Sequence, residues 1–194
     1  MGLPWYEAVQ ADSPLDQGDL ILGCPVLAWR QAPDATYQSI GPGEALLTFA
    51  EVAAADAVVM TQTCDLAQNR VRFVALCPHY GLDLCRGAWE AMQRAHGQSL
   101  ATKAWAAHLD RIAAGQIWNL AMLNSEEGPD YSAELRIVDF REVFSLPRAF
   151  LEAWLAERGE PRLRLRPPYR EHLSQAFARF FMRVGLPTDI HKTW

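Results

Sequence analysis

The chain has 194 residues, 50% of them hydrophobic and 21% charged, with a formal net charge of −5. Average apolar content with so little net charge excludes a mainly disordered chain, and the length predicts a single domain over residues 1–194 with a real core. The longest apolar run, near Ala53–Met60, is interrupted by Asp56 and is far too short to span a bilayer.

In chain order, residues 3–17 read as a lead-in with about one helical turn, because Pro4, Pro14 and scattered acids interrupt any pattern. Asp19–Trp29 reads as a strand in which Gly23 and Pro25 imply a bulge or an edge. Residues 30–44 read as a loop and Ala45–Phe49 as a short strand. Asp56–Thr63 and Arg70–Cys77 are β-rich runs. The turn-prone Asp65–Asn69 lies between them, so a hairpin is expected, with Pro78 closing its second strand. Helical spacing of Trp89 and Met92, then Ala101, Trp105, Leu109 and Ile112, predicts a helical insertion over about 86–115. Strands are expected at 116–124 and 133–140, joined by the turn sequence Ser-Glu-Glu-Gly-Pro-Asp. Pro147–Glu157 reads as a helix ending at Gly159, and Arg162–Arg166 as a last strand. Pro167 and Pro168 then open an amphipathic helix over about 168–184, with Leu173, Phe177, Phe180, Phe181 and Val184 on one face. Strands and helices do not alternate, so the expected fold is α+β: a bent antiparallel sheet or SH3-like half-barrel covered by helices.

Charge is segregated. Residues 1–135 carry a net −9, whereas residues 136–183 carry ten arginines and a net +4. Arginine binds phosphate and carboxylate through a planar fork, so Arg162, Arg164, Arg166, Arg170 and Arg179 are candidates for a partner-binding face. The stretch Met1–Asp12 has no basic region followed by an apolar one, so a cytoplasmic location and four reduced thiols are expected. Cys64, Cys77, His79 and Cys85 have the atoms for zinc but not the spacing, and no Walker, G-x-G-x-x-G or H-E-x-x-H sequence occurs. Neither a metal nor a cofactor is therefore expected.

The polar cluster Thr61-Gln62-Thr63-Cys64-Asp65 ends an otherwise apolar strand, a place where rigid backbone often aims reactive side chains. Cys64 is the candidate nucleophile, with Gln62 and Asp65 beside it. The adjacent Asp65 disfavours a thiolate, so a histidine base is needed, first His172 and then His79. Alternatively, Cys64 is a small core residue and Asp65 a turn residue.

Gln17-Gly18-Asp19-Leu20-Ile21 with Cys24-Pro25, then Val58–Leu66, then Pro168–Pro187 resemble a group of bacterial proteins. These have an early Gly-Asp-Ile/Leu strand and a later apolar strand ending in Ser/Thr-Gln-Ser/Thr-Cys-Asp-Leu. The first two stretches are also similar to the MazF/PemK-type toxin barrel, an SH3-like fold that cuts RNA with an Arg and a Ser/Thr. That resemblance implies Thr61 or Thr63 at the Ser/Thr place, although no Arg-Pro precedes the strand. Three functions are therefore expected in order. The first is an accessory or regulatory module that binds a protein or nucleic acid partner and no membrane. The second is a cysteine-dependent hydrolase or transferase, and the third a MazF-like ribonuclease. The sequence leaves the oligomeric state open.

Overall fold

The computed structural model describes residues 3–29 and 48–182. Among these residues ten strands run in chain order: β1 (Tyr6–Val9), β2 (Asp19–Trp29), β3 (Ala50–Val59), β4 (Phe73–Gly81), β5 (Leu120–Leu123), β6 (Glu126–Glu127), β7 (Ser132–Ala133), β8 (Arg136–Asp139), β9 (Phe144–Pro147) and β10 (Arg162–Leu165). The helices are α1 (Thr63–Ala67), α2 (Leu82–Ala95), α3 (Thr102–Ala113), α4 (Arg148–Arg158) and α5 (Tyr169–Phe181). The principal sheet runs β1-β10-β2-β3-β4-β8-β5, with β9 also paired to β4, and it does not close. All of its pairings are antiparallel. The α+β expectation with an open, bent antiparallel sheet holds.

Two features bend the sheet. The register of β2 on β3 shifts between Ile21 and Cys24, where Gly23 takes φ +63°, and a bulge of this kind increases local twist. The second is a change of partner along β4. It pairs with β3 up to Ala57↔Pro78 and with β8 from His79↔Val138 onward. Pro78 was expected to end this strand. It lies inside instead, at the changeover between ladders, the part of a strand that best tolerates a missing N–H.

Alternation along β2 and β3 sends side chains to both faces, and both are covered. Leu20 and Val58 join Tyr6, Val138, Phe140 and Leu165 in a core roofed by Leu173, Phe177 and Phe180 of α5. Ile21, Ala57 and Val59 join Leu66, Leu76, Leu151 and Leu155 in a second core under α4. Phe140 meets Phe177 and Phe180 with ring centroids 5.5 and 6.2 Å apart. Phe181, expected in the core, is 53% exposed, because the inward stripe of α5 passes through Phe177 and Phe180 instead. Its last expected member, Val184, lies outside the described residues. The 86–115 insertion is a helical hairpin, α2 and α3, closed by Trp89 against Trp105 at 5.3 Å.

Other differences have local causes. The lead-in contains a strand, β1, made by pairing with β10. The expected turn at 65–69 is mostly α1, and the turn after Asn124 carries the small β6–β7 hairpin. The loop expected at 30–44 and most of the strand expected at 45–49 fall outside the described residues. Among the described residues no helix is long and apolar enough to cross a membrane.

Candidate functional site

The three segments singled out in the sequence meet at one corner of the sheet. The Gly18 amide donates to the Val59 carbonyl at 2.9 Å, which ties the start of β2 to the end of β3. Gln17, only 9% exposed, donates through Nε2 to the Met60 carbonyl at 3.0 Å and to Ser174 Oγ of α5 at 3.3 Å. Gly18 has φ +84°, and a Cβ there would stand 3.0 Å from Leu165 Cβ and 3.3 Å from Arg170 Cγ. A side chain would thus both strain the backbone and push β10 and α5 away.

Beyond Met60 the chain leaves the sheet under control. Met60 donates to the Ala75 carbonyl at 2.9 Å, and Thr61 Oγ1 accepts from the Ala75 amide at 2.7 Å. The Gln62 carbonyl then takes the Asp65 and Leu66 amides and starts α1. Arg148 closes the other end, donating to the Leu66 carbonyl at 2.7 Å and to Asn69 Oδ1 at 3.3 Å. Leu66 is buried and anchors this turn, whereas Gln62 and Cys64 are exposed. Cys64 Sγ has one hydrogen-bond partner among the described residues, Gln62 Oε1 at 3.7 Å. Thr63 Oγ1 is buried without a hydrogen-bond partner, as is Glu171 Oε2, one helical turn before Ser174. Burial pushes the Glu171 carboxyl up, but hydrogen bonds from Arg170 and its own amide and the charges of Arg170 and His172 outweigh that and hold it below its usual value. His172 stands exposed on α5 beside it.

Of the expected nucleophile set, Gln62, Cys64 and Asp65 share one turn. His172 belongs to the helix that Gln17 ties to Met60, but it makes no hydrogen bond to the thiol. His79 is unsuited to be a base for Cys64. It is 1% exposed and presents Nδ1 to Arg136 at 3.3 Å. Because arginine only donates, that contact uses the Nδ1 lone pair, and the buried Nε2 has no hydrogen-bond partner among the described residues. Burial first, and then the Arg136 cation, lower the pKa of His79 to about 4. Two of the other thiols, Cys24 and Cys77, are buried. Cys24 is pushed up to about 11 and Cys77 to about 12, chiefly by burial.

The arginine face expected from the charge pattern is largely dismantled. Arg162 is buried and its Nε meets Asp19 Oδ2 at 2.7 Å, while its other nitrogens donate to the carbonyls of Gln10, Ser13 and Pro14. Arg164 meets Asp19 Oδ1 at 2.5 Å, and Arg170 meets Asp16 at 3.4 Å and Glu171 at 2.8 Å. These guanidinium groups neutralise Asp16 and Asp19 and hold that early segment against β10 and α5. Arg166 and Arg179 remain exposed, with no ion pair among the described residues.

The residues that sequence reasoning missed are Gln17, Ser174 and Glu171. All three lie inside the stretches quoted for the resemblance, which was the available signal. Among the described residues no group of three His, Cys, Asp or Glu side chains could hold a metal. Compared with known proteins, the chain matches no family model, no curated protein and no solved structure.

Proposed function

We propose that the protein acts by binding a macromolecular partner at this corner, and that the partner is a protein. The observation that carries the reading is the Gln17 side chain held between the Met60 carbonyl and Ser174 Oγ. It cross-links three distant segments, and the segments it joins lead into the exposed residues Gln62 and Cys64 on one side and carry the exposed His172 on the other. Gln62 and Cys64 are exposed on this corner, and two cavities of about 560 Å³ are lined by other residues, which favours surface contact over engulfing a small substrate there. A nucleic acid is disfavoured because Arg162, Arg164 and Arg170 are spent on internal acids and the chain is net acidic.

The test attaches a photo-crosslinker to Cys64 and exposes the protein to an extract of its native host. A discrete protein adduct is expected that is lost in Gln62→Arg. A control label on Ser132→Cys, in a Cys64→Ser background, should not give it. The same adducts from both labels, or none, would overturn the reading. A nucleic acid mobility shift that weakens steeply with salt would transfer the corner to a phosphate partner.

One observation favours the second reading, a cysteine-dependent hydrolase or transferase. Cys64 is exposed at a strand-to-helix turn, where the first amides of α1 have no intrahelical acceptor. In this reading His172 turns toward the thiol on substrate binding. Iodoacetamide alkylation of the folded protein across pH decides it. A Cys64 titration well below the ~8.5 of an ordinary thiol supports the enzyme, and a titration at the ordinary value counts against it. The ribonuclease reading gains less, since the Thr61 hydroxyl is engaged by the Ala75 amide and Thr63 Oγ1 is buried.

A further inference from the structure

The cavity bounded by β1, β2, β10 and the segment leading into β8 lies apart from the corner. Its volume is about 560 Å³, within the roughly 300–1,000 Å³ of small-molecule sites. Tyr6, Ala8, Leu20, Leu22, Tyr131 and Leu163 give it a largely apolar wall, and Arg136, Arg158 and Arg162 bring three cations to it. Two of these are committed. Arg158 donates to Glu160 and to the Leu22 carbonyl and lies 5.3 Å over the Trp154 ring. Arg162 is consumed by Asp19 and the carbonyls of the 10–14 segment.

Arg136 is different. Among the described residues its side-chain hydrogen bonds go through one nitrogen, Nη1, which donates to Asp56 Oδ2 at 2.6 Å and faces His79 Nδ1 at 3.3 Å. Asp56 is itself fixed by the Gly23 amide at 2.8 Å, at the bulge in β2. His79 is fully enclosed behind it. The guanidinium is therefore anchored at one end, while Nε and Nη2 make no hydrogen bond among the described residues. These two nitrogens form the planar edge that holds both oxygens of a carboxylate. Asp130 and Glu134 also line the cavity, are exposed, and make no ion pair among the described residues. They oppose an anion in proportion to its charge, so nucleotides and polyphosphates are poorer occupants than a single carboxylate.

We propose that this cavity binds a carboxylate bearing a single negative charge and an aliphatic body, with the carboxylate on Nε and Nη2 of Arg136 and the aliphatic part against Leu20, Leu22 and Leu163.

Hexanoate and 1-hexanol, identical in their chains, are the probes, titrated by calorimetry into the intact protein. Saturable one-site binding of hexanoate is expected, with hexanol weaker by about tenfold or more, as loss of a bidentate charged contact predicts. Arg136→Met should reduce hexanoate to the level of hexanol. Because that change strands Asp56, two exposed positions keep the test independent of folding. Ala8→Trp, which fills the cavity from β1, should abolish binding of both probes, and Glu134→Gln should tighten hexanoate alone. Absence of saturable hexanoate binding, equal affinity for acid and alcohol, or binding unchanged by Ala8→Trp would each overturn the proposal. None of these results depends on whether a partner docks at the Cys64 corner.

Discussion

Asp19 carries the heaviest electrostatic duty of any single residue described. It has no exposed surface, accepts from both Arg162 and Arg164, and its second oxygen also takes the Asp16 amide at 3.0 Å. Removing one partner of a buried pair leaves an uncompensated charge, so Asp19→Ala should cost about 3–5 kcal/mol in a denaturant melt. Exposed pairs such as Arg94–Glu90 should give well under about 1 kcal/mol. His79 makes a different prediction. Its folded pKa of about 4 lies below the ordinary 6.5. As pH falls through 6.5, the unfolded chain takes up a proton that the folded chain refuses. Stability is therefore full above that value and declines until the folded ring protonates near 4. The total loss is on the order of 3 kcal/mol. Melts of wild type and His79→Leu between pH 7 and 4 check this, because the variant should lose most of the slope.

Among the elements, α5 gives the sharpest contrast. Phe177 packs on Phe140, whereas Phe181 rests on its helical neighbours Phe177 and Phe180 and is half in solvent. Phe177→Ala should cost about 3 kcal/mol and lower the Tm by several degrees, while Phe181→Ala should stay near 1 kcal/mol or less. The amphipathic period was legible in the sequence, but not which edge of the apolar stripe faces inward. The same limit explains the other differences. β2 was readable because Gly23 and Pro25 mark a bulge within a β-rich run, and α4 because Gly159 ends it at φ +66°. β1 and β9, four residues each, carry too little local pattern and exist through β10 and β4. The arginine run was legible as charge but not as pairing, since Asp16 and Asp19 lie about 150 positions away in the chain. In the corner, Thr61–Asp65 stood out by composition. Gln17 and Ser174 did not, because their importance lies in a contact between distant segments.

For the molecule as a whole, the decisive feature is that β10, near the end of the chain, lies between β1 and β2, near its beginning. Among the described residues β1 has no other partner in the sheet, and Asp19 has no other buried cations. A chain ending at Gly159 should therefore lack a single cooperative thermal transition, measured by circular dichroism, even though it keeps β2, β3, β4 and α4. A strand order of this kind also governs biosynthesis. Domains fold as units when their last essential contact becomes available, and pairing between distant segments is intrinsically slow. While the ribosome is still making α4, the β10 flank of β2 stands open and two carboxylates of the first 20 residues wait for guanidinium groups not yet translated. The nascent protein thus spends most of its synthesis with an exposed strand edge, the state in which chaperone capture and edge-to-edge aggregation compete with folding.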